Sequence, residues 1–477
     1  MTDPGERLRG IGPDDVAALA ARLGADAVSW PAPPRYREEP RGKLAGHPAS
    51  ALVRPRSTEE VSRVLSFCHE RRIPVVPYGG GTGLVGGQVM ADLPPLVLSL
   101  ERMRAIRSIS PADGAMVVEA GAVLADVQAA AAAHDRLFPL SMASEGSCTI
   151  GGNLATNAGG VQVLRYGNAR TLCLGIEAVM ADGRIHHGLR SLHKDNTGYD
   201  LRDLLIGSEG TLGIITAATL RLHMRPRAHA TAFLAVASPA AALELLHAAL
   251  AALDERLTAF ELISAQSFAF MADRLPAIRR PFETAPAWSV LMEAAGSEAG
   301  EIEDRLFGVI ETALVAGQVT DGRMARSERD RREFWHFRES IPLANRAVGA
   351  IVSHDISLPL GAIPAFLDEA PRRIWEIAPV RINAFGHLGD GNLHYNFFPP
   401  EGCDRRAYAA LAPKLSERLY ELVAVRGGSI SAEHGIGRFR AGDLARFADP
   451  AALGAMRAIK AALDPRGILN PGAVLAN

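Results

Sequence analysis

Residues 73–87 read IPVVPYGGGTGLVGG, a short apolar run that breaks into six glycines around a single threonine. Within them Gly81-Thr82-Gly83-Leu84-Val85-Gly86 satisfies GxGxxG, the spacing with which a strand–turn–helix holds a dinucleotide. That fold needs a helix directly after the glycines, because the helix N-terminus binds the pyrophosphate. The chain instead continues LVGGQVMADLPPLVLSL, whose second Gly-Gly pair and Pro-Pro cannot be that helix. A P-loop is excluded as well, since no Gly-Lys-Ser/Thr follows. What remains is a long glycine-rich turn between two strands. Its consecutive N–H groups can form an anion nest, and glycine lets a phosphate come close. Taken alone, the segment leaves a phosphate site and an ordinary flexible loop equally open.

At 477 residues the chain exceeds one ordinary core, and length suggests about three domains. Hydrophobic residues at 48% and charged residues at 22% describe a folded globular protein rather than a disordered or fibrous one. The formal net charge is −2 without basic blocks, which argues against a nucleic-acid surface. Cys68, Cys148, Cys173 and Cys403 are far apart and form no CxxC. That excludes a zinc ribbon or a cysteine-ligated iron–sulfur cluster and points to a reducing compartment. The opening MTDPGERLRGIG is charged and lacks an apolar centre, so a signal peptide is not expected there. The longest apolar stretch, TAFLAVASPAAALELLHAALAAL, is broken by proline, glutamate and histidine, against a membrane span. A cytoplasmic, multi-domain enzyme is the expectation.

The chain carries no internal repeat. STEEVSRVLSFCHERR opens with a capping box, Ser57 and Glu60, and its apolar positions Val61, Val64, Leu65 and Cys68 keep helical spacing. IPVVP and PPLVLSL read as buried strands, ADVQAAAAAH as helix, and TLCLGIEAVMADGRI as strand–turn–strand about Asp182-Gly183. From about 228 longer helices alternate with strands such as AWSVLMEAA and VRINAFGHLGDGNLHYNFF, which places a boundary near 225.

Two further segments share the style of the glycine turn. SEGSCTIGGNLATNAGGVQVLRYGNARTLCLGIEAVMADG and DNTGYDLRDLLIGSEGTLGIIT are dense in small residues with polar edges, suited to lying against a flat ligand. The order PYGGGTGL, CTIGGNLATNAGG, GSEGTLGIIT resembles the FAD-binding domain of the vanillyl-alcohol oxidase / para-cresol methylhydroxylase type, over essentially the whole chain. The resemblance implies an α+β fold: a two-subdomain FAD-binding domain, an α+β cap domain with an antiparallel sheet, and a C-terminal segment that returns to the flavin. The implied boundaries are an N-terminal segment 1–43, FAD-binding domain 44–225, cap 226–425 and C-terminal segment 426–477. It also implies the cofactor site. Tyr78, Gly79, Gly80, Gly81, Thr82, Gly83 and Leu84 would cradle the pyrophosphate. Ser147, Thr149, Gly152, Asn153, Thr156, Asn157, Gly160, Glu209, Gly210, Gly213, Ile215 and Asn470 would line the flavin and adenosine. Some relatives tether FAD through a histidine beside the Gly-Gly turn; here Tyr78 precedes it, so non-covalent FAD is expected.

HLGDGNLH (387–394) and SAEHGIG (431–437) form a second constellation. If Asp390-Gly391 is a two-residue hairpin turn, the pairs are 389–392, 388–393 and 387–394. His387 and His394 then stand directly opposite each other, Cβ atoms about 5 Å apart, able to share a metal with a third, oxygen ligand. Asn396 points to the same face as His394. A plain pair of surface histidines stays open on the residues alone. Glu433-His434 puts a carboxylate beside a base, and in extended chain the two would face opposite ways. In RREFWHFRES, Phe334, Phe337, Arg338 and Ile341 lie on one helical stripe, and an arginine there needs an anion, either a substrate or a structural Asp or Glu.

These motifs resemble the branch that oxidises D-2-hydroxy acids, which carries HxGDGNxH and EHG. The resemblance implies that His387, His394 and Glu433 bind a divalent metal, zinc. It makes His434 the general base, Arg338 the clamp for the substrate carboxylate and flavin N5 the hydride acceptor. FWHFRESIP followed by HDISLPLGAIPAF is nearest the D-2-hydroxyglutarate group, with D-lactate or glycolate oxidation as the alternative, because Ser353 stands where that group has lysine. A remoter alternative is an alkylglycerone-phosphate-synthase-like transferase, and a third a non-catalytic flavoprotein subunit. With no NAD site, an external acceptor is expected: an electron-transfer flavoprotein, quinone or cytochrome. No nucleic-acid partner and no membrane span are expected; a homodimer is left open.

Overall fold

The computed structural model describes residues 7–476, so residues 1–6 of the N-terminal segment and Asn477 lie outside the described residues. The elements read from the patterns form where local chemistry puts them. Ser57 caps the Thr58–Arg71 helix by accepting the Glu60 N–H at 3.3 Å. The Glu60 carboxylate reaches back to the Arg56 N–H at 2.8 Å, one residue earlier than a capping box closes. The helix ends at Arg72 in the left-handed region.

The chain divides into two units. The first runs to Gly159, resumes over Gly167–Arg225 and takes in the chain from Glu433 on. One of its sheets is built from β1 (Val28–Ser29), β2 (Ala51–Val53), β3 (Val75–Tyr78) and β4 (Leu96–Ser99), in the order β1-β2-β4-β3. β2 and β3 both run parallel to β4. The other contains β5 (Ile106–Ser110), β6 (Ala115–Glu119), β8 (Cys173–Val179), β9 (Ile185–Gly188) and β10 (Ile214–Arg221). It is antiparallel, in the order β5-β6-β10-β8-β9. The short strands β7 (Arg136–Leu137) and β11 (His223–Met224) pair separately. Buried Val61, Val64, Leu65, Phe67, Val75 and Leu98 belong to one core that joins the Thr58–Arg71 helix to the four-stranded sheet.

The second unit comprises Gly160–Tyr166 and Pro226–Ala432. Its strands are β12 (Ala228–Val236), β13 (Leu257–Ser264), β14 (Trp288–Gly296), β15 (Val319–Met324), β16 (Val352–Ser357), β17 (Arg381–His387) and β18 (Asn392–Phe398). They form one antiparallel sheet in the order β15-β12-β14-β13-β17-β18-β16. Helices Ala265–Arg274 and Glu328–Val348 supply Phe268, Met271, Phe337, Ile341 and Ala344 to a core shared with Phe233, Ile263, Leu291 and Phe385 of the sheet. Each of the Phe, Met, Ile and Leu side chains among them contributes roughly 1.5–3 kcal/mol when fully buried. The Glu328–Val348 helix continues through Pro342 and leaves Arg346 exposed, whereas Arg338 is buried.

Candidate active site

In the first unit the glycine turn is laid against the segment beginning at Ser147. A Cβ on Gly80 would collide with the Ser147 carbonyl, and one on Gly79 would come within 2.8 Å of Thr149 Oγ1. Gly81 has φ +72, and a side chain there would meet the Tyr78 hydroxyl. No helix lies between residues 79 and 95, so the GxGxxG is a turn from β3 towards β4. A cradle this close to its neighbours admits only glycine, which suits the approach of a cofactor phosphate. Thr82, Gly83 and Leu84 complete the turn half-buried, with Gln88 Nε2 donating to the Gly83 carbonyl at 2.8 Å. The Tyr78 hydroxyl donates to the Arg35 carbonyl at 3.0 Å.

Thr149 is the N-cap of the Ile150–Ala155 helix, which contains Gly152 and buried Asn153. Thr156 Oγ1 donates to the Gly152 carbonyl at 3.0 Å, and Asn157, at positive φ, accepts the Arg170 N–H at 3.0 Å. Gly160 opens the short piece that belongs to the second unit. Gly210 has φ +69, and a Cβ there would sit 2.5 Å from Pro77 Cγ, so this loop also lies against the end of β3. Gly213 precedes β10, where Ile215 pairs with Ala178.

Two residues expected to line the cofactor hold the framework together with their side chains. The Glu209 carboxylate accepts the N–H groups of Ile436 at 2.7 Å and Gly437 at 2.9 Å, and burial pushes its pKa up. Asn470 donates from Nδ2 to the Glu209 carbonyl at 2.9 Å and accepts from Arg438 Nη2 at 2.8 Å. Arg438, which sequence reasoning missed, also donates from Nη1 to the carbonyls of Gly86 at 3.1 Å and Gly87 at 2.8 Å. Burial lowers its pKa to about 10. The glycine turn, the GSEG loop and the EHGIG loop are thus fastened to one another.

Glu433 and His434 are not in extended chain. The backbone bends at both, Gly435 takes φ +81, and His434 Nε2 comes within 3.8 Å of Glu433 Oε1. The expectation that the two side chains point apart fails, because bends replace the strand geometry that alternates faces.

In the second unit the histidine pair forms, with a corrected register. Leu388–Asp390 is a 3-10 turn closed by Gly391 at φ +83, and Phe385, not His387, pairs with His394. His387 is instead opposite Glu261 of β13. The slip is two residues, and since strand faces alternate with period two, both histidines stay on the same face. Their ring centroids lie 5.7 Å apart. Asn383, Asn396 and Ser353 are cross-strand neighbours on this face, and so are His394 and Asp355. Buried Asn383 accepts from Ser264 Oγ at 3.0 Å and Ser267 Oγ at 2.7 Å.

The anion that Arg338 meets is Glu261. Arg338 Nε donates to Glu261 Oε2 at 2.7 Å; Nη2 lies 2.6 Å from the same oxygen as an ion-pair contact without a directed hydrogen bond. His387 Nδ1 is 2.5 Å from Glu261 Oε1. Burial would raise the Glu261 carboxyl, but Arg338 and His387 outweigh it and hold the pKa down at about 2. His394 Nδ1 is 3.6 Å from Asp355, whose Oδ1 accepts from Asn392 Nδ2 at 2.8 Å. His354, next in sequence, serves the opposite face, with Nδ1 at 2.9 Å from the Tyr395 carbonyl. Ala432 donates its N–H to the Asp355 carbonyl at 3.2 Å, and Glu433 follows it in the chain. Glu261 was missed by sequence reasoning; its signal is a lone acid inside the apolar strand LTAFELIS.

Comparison with known proteins agrees with both halves. Residues 49–188 match the model of an FAD binding domain, and residues 225–474 match that of the FAD linked oxidases' C-terminal domain. The chain belongs to the FAD-linked oxidase family. It is 39% identical over 466 residues to the mitochondrial D-2-hydroxyglutarate dehydrogenase of Bos taurus, covering 97% of this chain and 83% of that one. The D-2-hydroxyglutarate dehydrogenase of Stutzerimonas stutzeri is 36% identical, over 90% of this chain and 91% of its own. Among solved structures, p-cresol methylhydroxylase superposes with a TM-score of 0.77 at 18% identity, covering 99% of each chain. Alkyldihydroxyacetonephosphate synthase gives 0.72 at 18% identity over 97% of this chain and 85% of that one. These two likenesses establish the FAD-linked oxidase fold and nothing finer. No helix among the described residues is long and apolar enough to cross a membrane.

Proposed function

We propose that this FAD-linked oxidase family member is a dehydrogenase that oxidises a D-2-hydroxy acid, with D-2-hydroxyglutarate favoured, to the 2-oxo acid. The observation that carries the reading is the single sheet face on which the histidine pair, Asn396 and the Arg338–Glu261 pair lie together, in a chain 39% identical to a dehydrogenase of that acid. The glycine cradle fits FAD, held non-covalently. The donor set of His387, His394 and Glu433, two imidazoles and a carboxylate, fits a divalent metal, for which we propose zinc.

When bound, FAD supplies a two-electron acceptor, and the divalent cation supplies positive charge that lowers the pKa of a nearby hydroxyl. The chain's own residues do the rest. Arg338 has donors beyond those directed at Glu261, and these take the substrate carboxylate. Asn396, buried beside His394, offers an amide to the substrate oxygen. His434 accepts the hydroxyl proton as general base while the Cα hydrogen leaves with its bonding electron pair, as a hydride, to the acceptor. The electrons then pass to an electron-transfer flavoprotein, quinone or cytochrome. The four free cysteines suit a reducing, cytoplasmic setting, and the alternative is the mitochondrial one in the bovine relative's name.

Ser353, paired with Asn396, is the one feature that favours the second reading, a D-lactate or glycolate dehydrogenase. Anaerobic mixing with D-2-hydroxyglutarate, D-lactate and glycolate, without NAD, separates the readings by flavin bleaching. Fastest bleaching by D-2-hydroxyglutarate is expected, and no bleaching by any 2-hydroxy acid overturns the proposal.

A further inference from the structure

Glu261, on this face, takes no part in the chemistry set out above. It is fully buried in the middle of β13, and its two oxygens are divided between two functional side chains. Oε1 faces His387 Nδ1 at 2.5 Å, and Oε2 takes Arg338 Nε at 2.7 Å. A carboxylate can only accept, so the Nδ1 atom at that distance must carry the proton. The other ring nitrogen, Nε2, is then the one with a lone pair to offer. Arg338 holds the carboxylate from the opposite side, and its guanidinium is itself fixed over the Phe385 ring at 4.9 Å. The sheet register adds a backbone constraint, since Glu261 and His387 are cross-strand partners. The neighbouring imidazole meets its carboxylate at longer range, with His394 Nδ1 3.6 Å from Asp355 Oδ1.

We propose that Glu261 is a positioning residue: it fixes the tautomer and ring orientation of His387 so that Nε2 faces the metal, with Arg338 as its counter-charge. The inference rests on the metal reading above. A carboxylate behind a ligating imidazole raises its basicity, and losing such a partner typically weakens metal affinity ten- to a hundredfold.

The test is zinc affinity of the FAD-loaded enzyme, measured by chelator competition, in wild type, Glu261→Gln, Glu261→Asp, Glu293→Gln and His387→Ala. Glutamine keeps the shape and an acceptor but removes the charge. Glu261→Gln is expected to bind zinc ten- to a hundredfold more weakly, with flavin content unchanged. Glu261→Asp should recover part of the loss, and Glu293→Gln, at a buried glutamate that contacts neither His387 nor His394, should bind as wild type. Wild-type affinity in Glu261→Gln overturns the proposal. If His387→Ala also binds zinc as wild type, the metal reading itself falls instead. Should the Glu261 variants not fold, selective 15N-histidine labelling of the zinc-loaded wild type decides. The proton on His387 Nδ1 with zinc at Nε2 is expected, and ligation through Nδ1 overturns the proposal.

Discussion

The Glu328–Val348 helix holds two buried glutamates by two arginines seven residues apart, and the two pairs do different work. Glu293 of β14 accepts from Arg331 Nε at 2.7 Å, Trp335 Nε1 at 2.8 Å and Thr231 Oγ1 at 2.9 Å, with His229 Nδ1 at 3.5 Å. Its partners are one helix face and a neighbouring strand, so the cluster closes on itself as a clamp between helix and sheet. Glu261 of β13 has the same kind of arginine, Arg338, two helical turns on, but its second oxygen goes to His387. Both carboxyls are held down at about 2 against the pull of burial. The ion-pair chemistry is thus alike; what the second glutamate holds makes one pair structural and the other part of a site.

The comparison breaks most sharply when each arginine is removed. Arg338→Ala leaves the fully buried Glu261 carboxylate without its counter-charge, with only His387 on it, and should cost about 3–5 kcal/mol of stability, with flavin reduction lost. Arg331→Ala leaves Glu293 its tryptophan and threonine donors, and should cost about 1–3 kcal/mol while flavin reduction per folded molecule stays intact. Denaturant unfolding and anaerobic flavin bleaching read both. Equal kinetic damage from the two would erase the distinction.

Acid titration sharpens the structural member. Glu293 has its folded pKa depressed from 4.5 to about 2. Its stabilisation is therefore fully present above the unfolded value and is lost as pH falls through that window towards 2. Glu293→Gln should flatten the acid limb of the stability curve by a few kcal/mol, at ~1.4 kcal/mol per pKa unit. An unchanged acid limb would mean other carboxylates carry it.

Much of this was legible in the sequence. The glycine turn without a following helix and the same-face histidines both follow from spacing and alternation. The hairpin register did not. Gly386 takes φ +154, and residues 388–390 coil into a 3-10 turn, so pairing begins two residues earlier than Asp390-Gly391 suggested. Face parity survived because the error was even. The Glu433-His434 geometry failed because Gly435 bends the chain. Glu261 was out of reach for a different reason: its partners lie 77 and 126 residues away, and an acid inside an apolar strand does not name its counter-charge.

A smaller effect tests the part of this face nearest the substrate choice. Ser353 is the cross-strand neighbour of Asn396, where the family's D-2-hydroxyglutarate branch is expected to have lysine. Ser353→Lys should shift the kcat/KM ratio of D-2-hydroxyglutarate over D-lactate about ten- to a hundredfold, since a charge-assisted hydrogen bond contributes roughly 1.5–3 kcal/mol. An unchanged ratio removes Ser353 from specificity.

The central claim is that the Glu261-held histidine pair belongs to a metal site the chemistry needs. Anaerobic flavin bleaching by D-2-hydroxyglutarate, before chelation, after it, and after adding zinc back, tests that claim directly. The account predicts bleaching, then none with FAD still bound, then recovery. Bleaching at the full rate in metal-free enzyme would contradict it.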